Sequence, residues 1–330
     1  MLHWRIILAV VAITVVLGVA WLDQFGPRPG IIMLPLALVC AWMCAGELMG
    51  LCEKAAANRM GGSVKEAKQD RTKSIPWRPL VYVATMFTVL CSTAPMTLYY
   101  PDGGVSGRTG WIAWGLIGGL LLALVYEMVT YDGPDQPPGT IHTRLARTMF
   151  AISYAGGLMG FVVQLRIISG GVWAQPDGTD DCRWGMLALL TTIATVKMND
   201  SGAYFAGHAF GRHKMTPKLS PGKTWEGTIG GFIGSIAGAM FFLGPVAHWL
   251  GCEYNQSRNE WLVGVIIYAL VVGLAGVLGD LAISLLKRDA GVKDSSTWMP
   301  GFGGFLDLLD SILLAAPVSY ALWMGHVVGP

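Results

Sequence analysis

The chain has 330 residues, of which 53% are hydrophobic and only 13% are charged. Soluble globular proteins carry about 25% charged residues, and disordered chains combine low hydrophobicity with high charge, so both classes are excluded. The formal net charge of +2 is too small to indicate a nucleic-acid-binding protein. The composition therefore predicts a protein that crosses a membrane several times.

Long apolar stretches recur along the whole chain. A transmembrane helix needs about 20 mostly apolar residues, and the stretches that meet or approach this length are 6–22, 31–52, 79–100, 109–131, 148–165, 228–250, 261–279 and 305–328. A further stretch, 184–196, is too short alone, and we expect it to continue through Lys197 and Asp200 toward Phe210. The sequence predicts an all-α, polytopic integral membrane protein with about nine transmembrane helices.

The first stretch could instead be a cleaved signal peptide. It is longer than the usual apolar region of such peptides, and no clear small-x-small cleavage site follows it, so a retained helix is favoured.

Lys and Arg residues indicate the orientation of the helices. They are concentrated in loop 53–78, which the positive-inside rule assigns to the cytoplasm. Alternation then places the basic segments 197–223 and 287–293 on the same side and the N-terminus in the cytoplasm. Cys182 and Cys252 would both lie on the outer face, where a disulfide between them is an open alternative. The compact chain favours a bacterial inner (cytoplasmic) membrane.

Polar residues at membrane depth divide the chain into two regions. Residues 1–183 form about five spans and hold only two such acids, Glu47 and Glu127, for which a functional and a boundary role are equally supported. Residues 184–330 hold the remaining ones, in two predicted cytoplasmic motif loops, 197–227 and 280–311. Small residues also recur every four positions, which predicts faces for close helix approach, at Gly115/Gly119, Gly156/Gly160 and Gly230/Gly234/Gly238.

The first motif loop combines turn, basic and hydroxyl residues. Ser220-Pro221 predicts a turn, and Lys223-Thr224 lies at the start of the next predicted helix. A helix N-terminus with a lysine and a hydroxyl group suits phosphate binding, although the Walker A pattern is absent. A basic loop that merely follows the positive-inside rule explains the charges equally well.

The second motif loop is acidic as well as basic. Asp307 and Asp310 share one helix face near the lipid boundary, where two like charges repel unless a cation or proton intervenes. Mg²⁺ commonly binds one or two carboxylates plus substrate phosphates, and Asp280, expected to end the preceding span, could complete such a site. Nearby basic residues would neutralise phosphate charge, namely Lys287, Arg288 and Lys293. A transporter that uses intramembrane acids is an equally supported alternative.

Together, the two motif loops resemble those of the phosphatidate cytidylyltransferase (CDP-diacylglycerol synthase) family. The family pattern S-x-x-K-R, four residues, K-D, then P-G-H-G-G, two residues and D-R-x-D is matched at Ser284, Lys287, Arg288, Lys293, Asp294, Pro300, Gly301, Gly303, Gly304, Asp307 and Asp310. The upstream pattern D-x-x-A-Y…G…F-G…S-P-x-K-T-x-E-G is matched at Asp200, Ala203, Tyr204, Gly207, Phe210, Gly211, Ser220, Pro221, Lys223, Thr224, Glu226 and Gly227. The resemblance covers about residues 200–311.

Two positions depart from the family pattern. Phe302 stands where the family usually has His, and Leu308 stands where it usually has Arg. The glycines around Phe302 are kept and would let the backbone approach a phosphate closely. We therefore expect an active protein, in which the loop acts mainly through its backbone, and an inactive paralogue is the alternative.

The resemblance implies a membrane-bound transferase that converts CTP and phosphatidic acid to CDP-diacylglycerol and pyrophosphate in phospholipid biosynthesis. It places Mg²⁺ on Asp280 and Asp307 with Asp310 close by, and it leaves room for a second, monovalent cation such as K⁺. Substrate contacts are implied at Asp200, Tyr204, Ser220, Lys223, Thr224, Glu226, Gly303 and Gly304. Catalytic or phosphate-neutralising roles are implied at Asp280, Asp307, Lys287, Arg288, Lys293 and Asp294.

The expected partners are CTP, phosphatidic acid and membrane lipids, with no nucleic acid, and a homodimer is left open. The alternatives are a CTP-dependent lipid kinase, a cytidylyltransferase acting on another membrane lipid, and a cation- or proton-coupled transporter.

Overall fold

The structure, a computed structural model, describes all residues except 1, 27, 61–74, 97–104, 132, 134–137, 169–181, 255, 297–302 and 330. The described chain is almost entirely helical. Its long helices are α1 (Leu2–Asp23), α2 (Leu34–Met60), α3 (Arg78–Ser92), α4 (Val105–Val129), α5 (Thr140–Arg166), α6 (Cys182–Phe210), α7 (Trp225–Trp249), α8 (Arg258–Asp289) and α9 (Phe305–Met324). Helices α5 and α7 each contain a π-helical turn, at Ile152–Gly157 and Phe242–Val246.

Six helices within the described residues are long and apolar enough to cross a membrane, namely α2, α4, α5, α7, α8 and α9. The chain is therefore an all-α integral membrane protein, as its composition predicts. Helix α6 runs from Cys182 to Phe210, as predicted, and carries Lys197 and Asp200 in its second half. The predicted number of nine spans is not confirmed by this criterion.

Helix α8 extends ten residues beyond the predicted end of its span, to Asp289. The expectation that Asp280 ends this span is therefore wrong, because Asp280 lies inside a continuous helix. Hydropathy marks where side chains become polar, whereas the helix itself continues to Asp289 and ends before Gly291, whose φ of 67° is a conformation that favours glycine. This helical extension places Asp280 and Lys287 on one rigid element.

A two-stranded antiparallel ribbon connects α6 to α7. Its strands are β1 (Lys214–Thr216) and β2 (Ser220–Thr224), and Thr216 pairs with Ser220. The predicted turn at Ser220-Pro221 is wrong, because these residues lie on β2. The chain turns earlier, at 217–219, where Leu219 N donates to Thr216 O at 3.2 Å. Pro217 has the fixed φ that suits the second residue of such a turn.

Helices α6 and α7 pack closely through glycines, as the four-residue spacing predicts. A Cβ atom added to Gly230 would overlap Ala206, and one added to Gly234 would overlap the carbonyl oxygen of Met198. A Cβ atom on Gly238 would lie 3.0 Å from Met198 Cγ. Small residues are therefore required along this face.

Buried polar side chains connect α6 to the other helices of its region. Thr192 Oγ1 lies 2.7 Å from Ser319 Oγ of α9 and 3.1 Å from the Tyr268 hydroxyl of α8. Nearer the predicted cytoplasmic end, Asn199 Nδ2 donates to Ser235 Oγ of α7 at 2.8 Å. Because an unpaired polar group in hydrocarbon is unfavourable, these bonds fix how α6, α7, α8 and α9 meet.

Helix α9 packs against both regions of the chain. Its residues Ala315, Ala316 and Trp323 are buried in a cluster formed with α6 and α8. Its residues Leu306 and Leu313 are buried in a second cluster, formed with α2, α3 and α5. The division of the chain into regions 1–183 and 184–330 stays a prediction. Helix α9 packs against helices from both of these regions.

The end of the bundle opposite the two motif loops is held by buried charges. Asp23 lies 2.8 Å from Arg166 and also accepts a hydrogen bond from Gly30 N at 2.8 Å. Cys252 is buried at this end. The side chain of Cys182 lies outside the described residues, so the disulfide alternative stays open.

Gly234→Ala should destabilise the protein, because the new methyl group would overlap the Met198 carbonyl. We expect a loss of about 1–3 kcal/mol, typical of an overfilled core, measured by thermal unfolding in detergent. Gly110→Ala is the matched control, since a Cβ atom there meets no other atom within 4 Å and alanine favours a helix. Equal unfolding temperatures for the two variants would contradict this account of the α6–α7 contact.

Candidate active site

The two motif loops meet at one end of the helix bundle. Lys223 Nζ, at the end of β2, lies 2.8 Å from Asp280 Oδ2 on α8. Arg288 Nε, also on α8, donates to the Leu219 carbonyl in the turn of the ribbon at 3.3 Å. The structure therefore brings together segments that are more than 50 residues apart in sequence.

Three helices each contribute one acidic residue to this region. Asp280 of α8 interacts electrostatically with Asp200 of α6 and with Asp310 of α9. Gly279 makes this approach feasible, because a Cβ atom there would overlap the Asp310 carbonyl oxygen. Repulsion between such like charges is relieved by a bound cation or by a proton.

Two lysines balance this negative charge. Lys223 contacts Asp280, as described above, and Lys197 Nζ lies 3.4 Å from Asp200 Oδ2. Lys197 also donates to the Leu308 carbonyl of α9 at 2.9 Å, so it joins α6 to the helix that carries Asp310. The sequence alone does not indicate a role for Lys197 at the site, since a lysine in a basic segment is expected from the positive-inside rule.

Asp307 is surrounded by donors from the protein. Its Oδ1 atom accepts a bond of 2.7 Å from Lys287 Nζ. Its Oδ2 atom accepts bonds from Ser295 N at 3.1 Å, Ser295 Oγ at 3.0 Å and Gly304 N at 3.0 Å. In this arrangement, Asp307 holds the start of α9 and the preceding segment together.

The glycines before α9 are required by this crowding. Gly303 has a φ of 87°, and a Cβ atom on it would lie 2.6 Å from Asp307 Oδ2 and 3.2 Å from Asp294 Cβ. Gly304 is buried against Ser295 and Glu47. Phe302 lies outside the described residues, so the prediction that the backbone beside it approaches a phosphate stays a prediction.

Thr224 and Glu226 stabilise the start of α7. Thr224 is buried as the N-cap residue and accepts a hydrogen bond from Gly227 N at 3.1 Å. Glu226 accepts bonds from Arg212 N at 3.2 Å and His213 Nδ1 at 2.6 Å. The contacts of both side chains are structural, and their predicted substrate contacts are not tested by the structure.

The remaining predicted residues lie around this centre. Tyr204 is exposed on α6, with its ring stacked on His208 at a centroid distance of 6.1 Å. Ser220 is half-buried at the start of β2, and Lys293 and Asp294 are exposed in the segment after α8. The roles of these residues stay predictions.

Glu47 and Glu127, the two acids of the N-terminal region, differ in their surroundings. Glu127 forms a buried ion pair with Arg144 and therefore stabilises the contact between α4 and α5. Glu47 reaches the start of α9, where it accepts a hydrogen bond from Leu306 N at 2.9 Å. The sequence supported both interpretations of Glu47 equally, because only the fold shows which helix lies beside it.

The donor set of this region suits Mg²⁺ in part. No three acidic, histidine or cysteine side chains of the described residues converge as a complete set of metal ligands. Mg²⁺ usually takes only one or two carboxylates and completes its shell with water and substrate phosphates. Asp280 and Asp310 supply two such carboxylates from neighbouring helices, and each also contacts protein donors: Asp280 contacts Lys223 and Ser284, and Asp310 accepts a bond from Ser311. Asp307 has the most protein donors of the three, since both of its oxygens accept bonds.

Comparisons with known proteins identify the family of the chain. The model of the cytidylyltransferase family matches residues 3–324. A Haemophilus influenzae protein named phosphatidate cytidylyltransferase is 38% identical over 204 residues, which are 62% of this chain and 63% of that protein. An Arabidopsis thaliana protein named phosphatidate cytidylyltransferase 5, chloroplastic, is 29% identical over 262 residues, which are 76% of this chain and 59% of that protein.

An Escherichia coli protein named uncharacterized protein YnbB is 35% identical over 205 residues, or 62% of this chain and 60% of that protein. The matched part of the chain spans 63%, 60% and 59% of the lengths of the first three relatives.

Thr224→Val should remove the N-cap bond to Gly227 and destabilise α7 by about 1 kcal/mol. Thr224→Ser keeps the hydroxyl group and should behave like the wild-type protein. The measurement is thermal unfolding in detergent without substrate. If Thr224→Val is as stable as Thr224→Ser but binds nucleotide more weakly, the residue acts on a ligand and the cap is unimportant.

Proposed function

Because this chain belongs to the cytidylyltransferase family, we propose that it transfers the cytidylyl group of CTP to phosphatidic acid, forming CDP-diacylglycerol and pyrophosphate. The observation that carries this proposal is the meeting of the two motif loops through Lys223 and Asp280. It gathers carboxylates and cations at one end of a membrane-spanning bundle, where a lipid headgroup and a soluble nucleotide can meet. The names of the relatives support the same substrates.

In the proposed reaction, a phosphate oxygen of phosphatidic acid attacks the α-phosphorus of CTP. A new P–O bond forms, the bond from the α-phosphorus to the bridging oxygen breaks, and pyrophosphate leaves with that oxygen. The protein mainly has to align two polyanions and stabilise their charge. The basic residues available for this task are Lys223, Lys287, Arg288 and Lys293.

Lys223 and Lys287 contribute through their present contacts. Each ammonium group is paired with a carboxylate, Lys223 with Asp280 and Lys287 with Asp307, at 2.8 and 2.7 Å. These pairs hold both cations at the site before substrate binds, so little reorganisation is needed when phosphates enter. We propose that Lys223 contacts the phosphates of CTP, since it lies beside the N-terminus of α7.

We propose that Asp280 and Asp310 hold Mg²⁺ together with substrate phosphates. When bound, this ion would neutralise phosphate charge and stabilise the leaving pyrophosphate. Asp307 could join these ligands only by exchanging some of its bonds to Lys287 and Ser295. A second, monovalent cation such as K⁺ stays a prediction.

We also propose nine spans in a bacterial inner membrane, with the site facing the cytoplasm. Lys54 Nζ donates to Ser295 O at 3.1 Å, and Asn58 Nδ2 donates to Ala290 O at 2.8 Å. The start of the basic loop 53–78 therefore lies at the same end of the bundle as both motif loops. This supports a common cytoplasmic side under the positive-inside rule. A homodimer stays an open prediction.

The proposal is tested by incubating the purified protein with CTP labelled at the α-phosphate, Mg²⁺ and phosphatidic acid vesicles. We expect labelled CDP-diacylglycerol and one pyrophosphate for each molecule formed. CDP with a newly phosphorylated lipid would instead identify a kinase. Unchanged CTP would overturn the proposal and favour the transporter or inactive-paralogue alternatives.

Asp280→Asn should lower turnover at least about 10²-fold, as expected for the loss of a major electrostatic stabiliser. The loss should be partly recovered at higher Mg²⁺ concentration, because the variant lacks one proposed ligand. Asp289→Asn, on the exposed end of the same helix, is the matched control and should keep wild-type turnover. Normal activity of Asp280→Asn at ordinary Mg²⁺ concentration would remove Asp280 from the site.

A further inference from the structure

Glu47 of α2 contacts the N-terminus of α9 with both carboxylate oxygens. Oε1 accepts bonds from Phe305 N at 2.8 Å and Ser296 Oγ at 2.9 Å. Oε2 accepts bonds from Leu306 N at 2.9 Å and Ser295 Oγ at 2.7 Å. Each oxygen thus receives one backbone amide and one hydroxyl group. Bonds of this kind to an ionised carboxylate are about twice as strong as neutral ones.

Helix α9 needs this external cap because it cannot supply its own. The first amides of a helix have no partner within the helix and usually bond to the side chain of the N-cap residue. Here the N-cap residue is Gly304, which has no side chain to offer. A Cβ atom at this position would overlap Ser295 Oγ and the carboxylate of Glu47. The acceptor therefore comes from α2, and its negative charge also suits a helix N-terminus.

The same face of α2 holds the other end of the segment between α8 and α9. Glu47, Lys54 and Asn58 are spaced by seven and four residues, which places them on one side of the helix. Lys54 donates to Ser295 O at 3.1 Å, and Asn58 donates to Ala290 O at 2.8 Å. Helix α2 therefore contacts the segment between α8 and α9 at three places. They are Ala290, where the segment begins, Ser295, and the junction of the segment with α9.

Ser295 connects Glu47 to the proposed catalytic residues. Its hydroxyl lies 2.7 Å from Glu47 Oε2 and 3.0 Å from Asp307 Oδ2, and its backbone N–H also donates to Asp307. Asp307 in turn accepts the bond from Lys287. A shift of Glu47 would move Ser295 and the start of α9, and with them the carboxylate that orients Lys287.

We propose that Glu47 is a positioning residue for the reaction: it fixes the start of α9, and through Ser295 the orientation of Asp307 and Lys287, without contacting substrate. This inference rests on the proposed function. A misplacement of about 1 Å at a catalytic group can lower a rate about 10²-fold. Loss of Glu47 should therefore lower kcat and leave substrate affinity nearly unchanged.

The test compares Glu47→Gln with Glu53→Gln. Glu53 is a matched control because it lies on the same helix, is buried and pairs with Arg78 at 2.8 Å, away from α9. Glutamine keeps the size of the side chain but presents an amide group to two of the four donors. We expect Glu47→Gln to lower kcat at least about tenfold, with KM for CTP and for phosphatidic acid changed less than about threefold.

A second measurement does not depend on activity. Hydrogen–deuterium exchange of peptides covering 303–309 should become at least about tenfold faster in Glu47→Gln, and exchange in α6 and α7 should stay unchanged. Ser295→Ala, which removes only the connecting hydroxyl, should lower kcat as well. Its effect should be less than additive with that of Glu47→Gln, because both changes break one network.

The outcomes separate this inference from the proposed function. If the wild-type protein forms no CDP-lipid, the proposed function fails together with the catalytic part of the inference, and exchange at 303–309 still decides whether Glu47 anchors α9. If the wild-type protein is active but Glu47→Gln resembles Glu53→Gln in kcat and in exchange, the positioning role is overturned. If Glu47→Gln does not fold, unchanged kcat in Ser295→Ala overturns it.

Discussion

The balance of charge at one end of the bundle is the constraint on which the rest of the structure depends. Carboxylates from three helices, Asp200, Asp280 and Asp310, interact electrostatically at this end. Such groups repel one another unless cations lie between them. Lys197 and Lys223 supply that charge in the structure, and phosphates with Mg²⁺ are proposed to take part during the reaction. The same groups are thus proposed to act in the chemistry that, without substrate, they balance electrostatically.

Close helix packing makes this convergence feasible. The missing side chain at Gly279 lets α8 approach α9, and the glycines of α7 let it lie against α6. The ribbon after α6 then turns Lys223 toward Asp280. Glycine, which weakens an isolated helix, is favoured here because van der Waals packing and hydrogen bonds, rather than the hydrophobic effect, hold helices together in lipid.

The sequence predicts the helical class, the long helix through Lys197 and the two segments of the site, because hydropathy, glycine spacing and motif spacing are local patterns. Sequence patterns predict less well where a helix or a turn ends and which distant segments come into contact. The prediction that the span ends at Asp280 is wrong because polar side chains begin before helix α8 ends. The predicted turn at Ser220-Pro221 is wrong because Pro217 favours a turn that is complete before Ser220. The role of Glu47 could not be predicted, since its partners follow it by about 250 residues.

The cap that α2 provides for α9 also orders events during synthesis. Glu47 is made 258 residues before Phe305, so it lacks this partner until α9 has been synthesised. The amides of α9 reach it only after the earlier helices of the chain have been made. A chain that stalls before α9 therefore lacks the two backbone amides that Glu47 contacts in the finished bundle. This end of the bundle can therefore assemble only after α9 has been made.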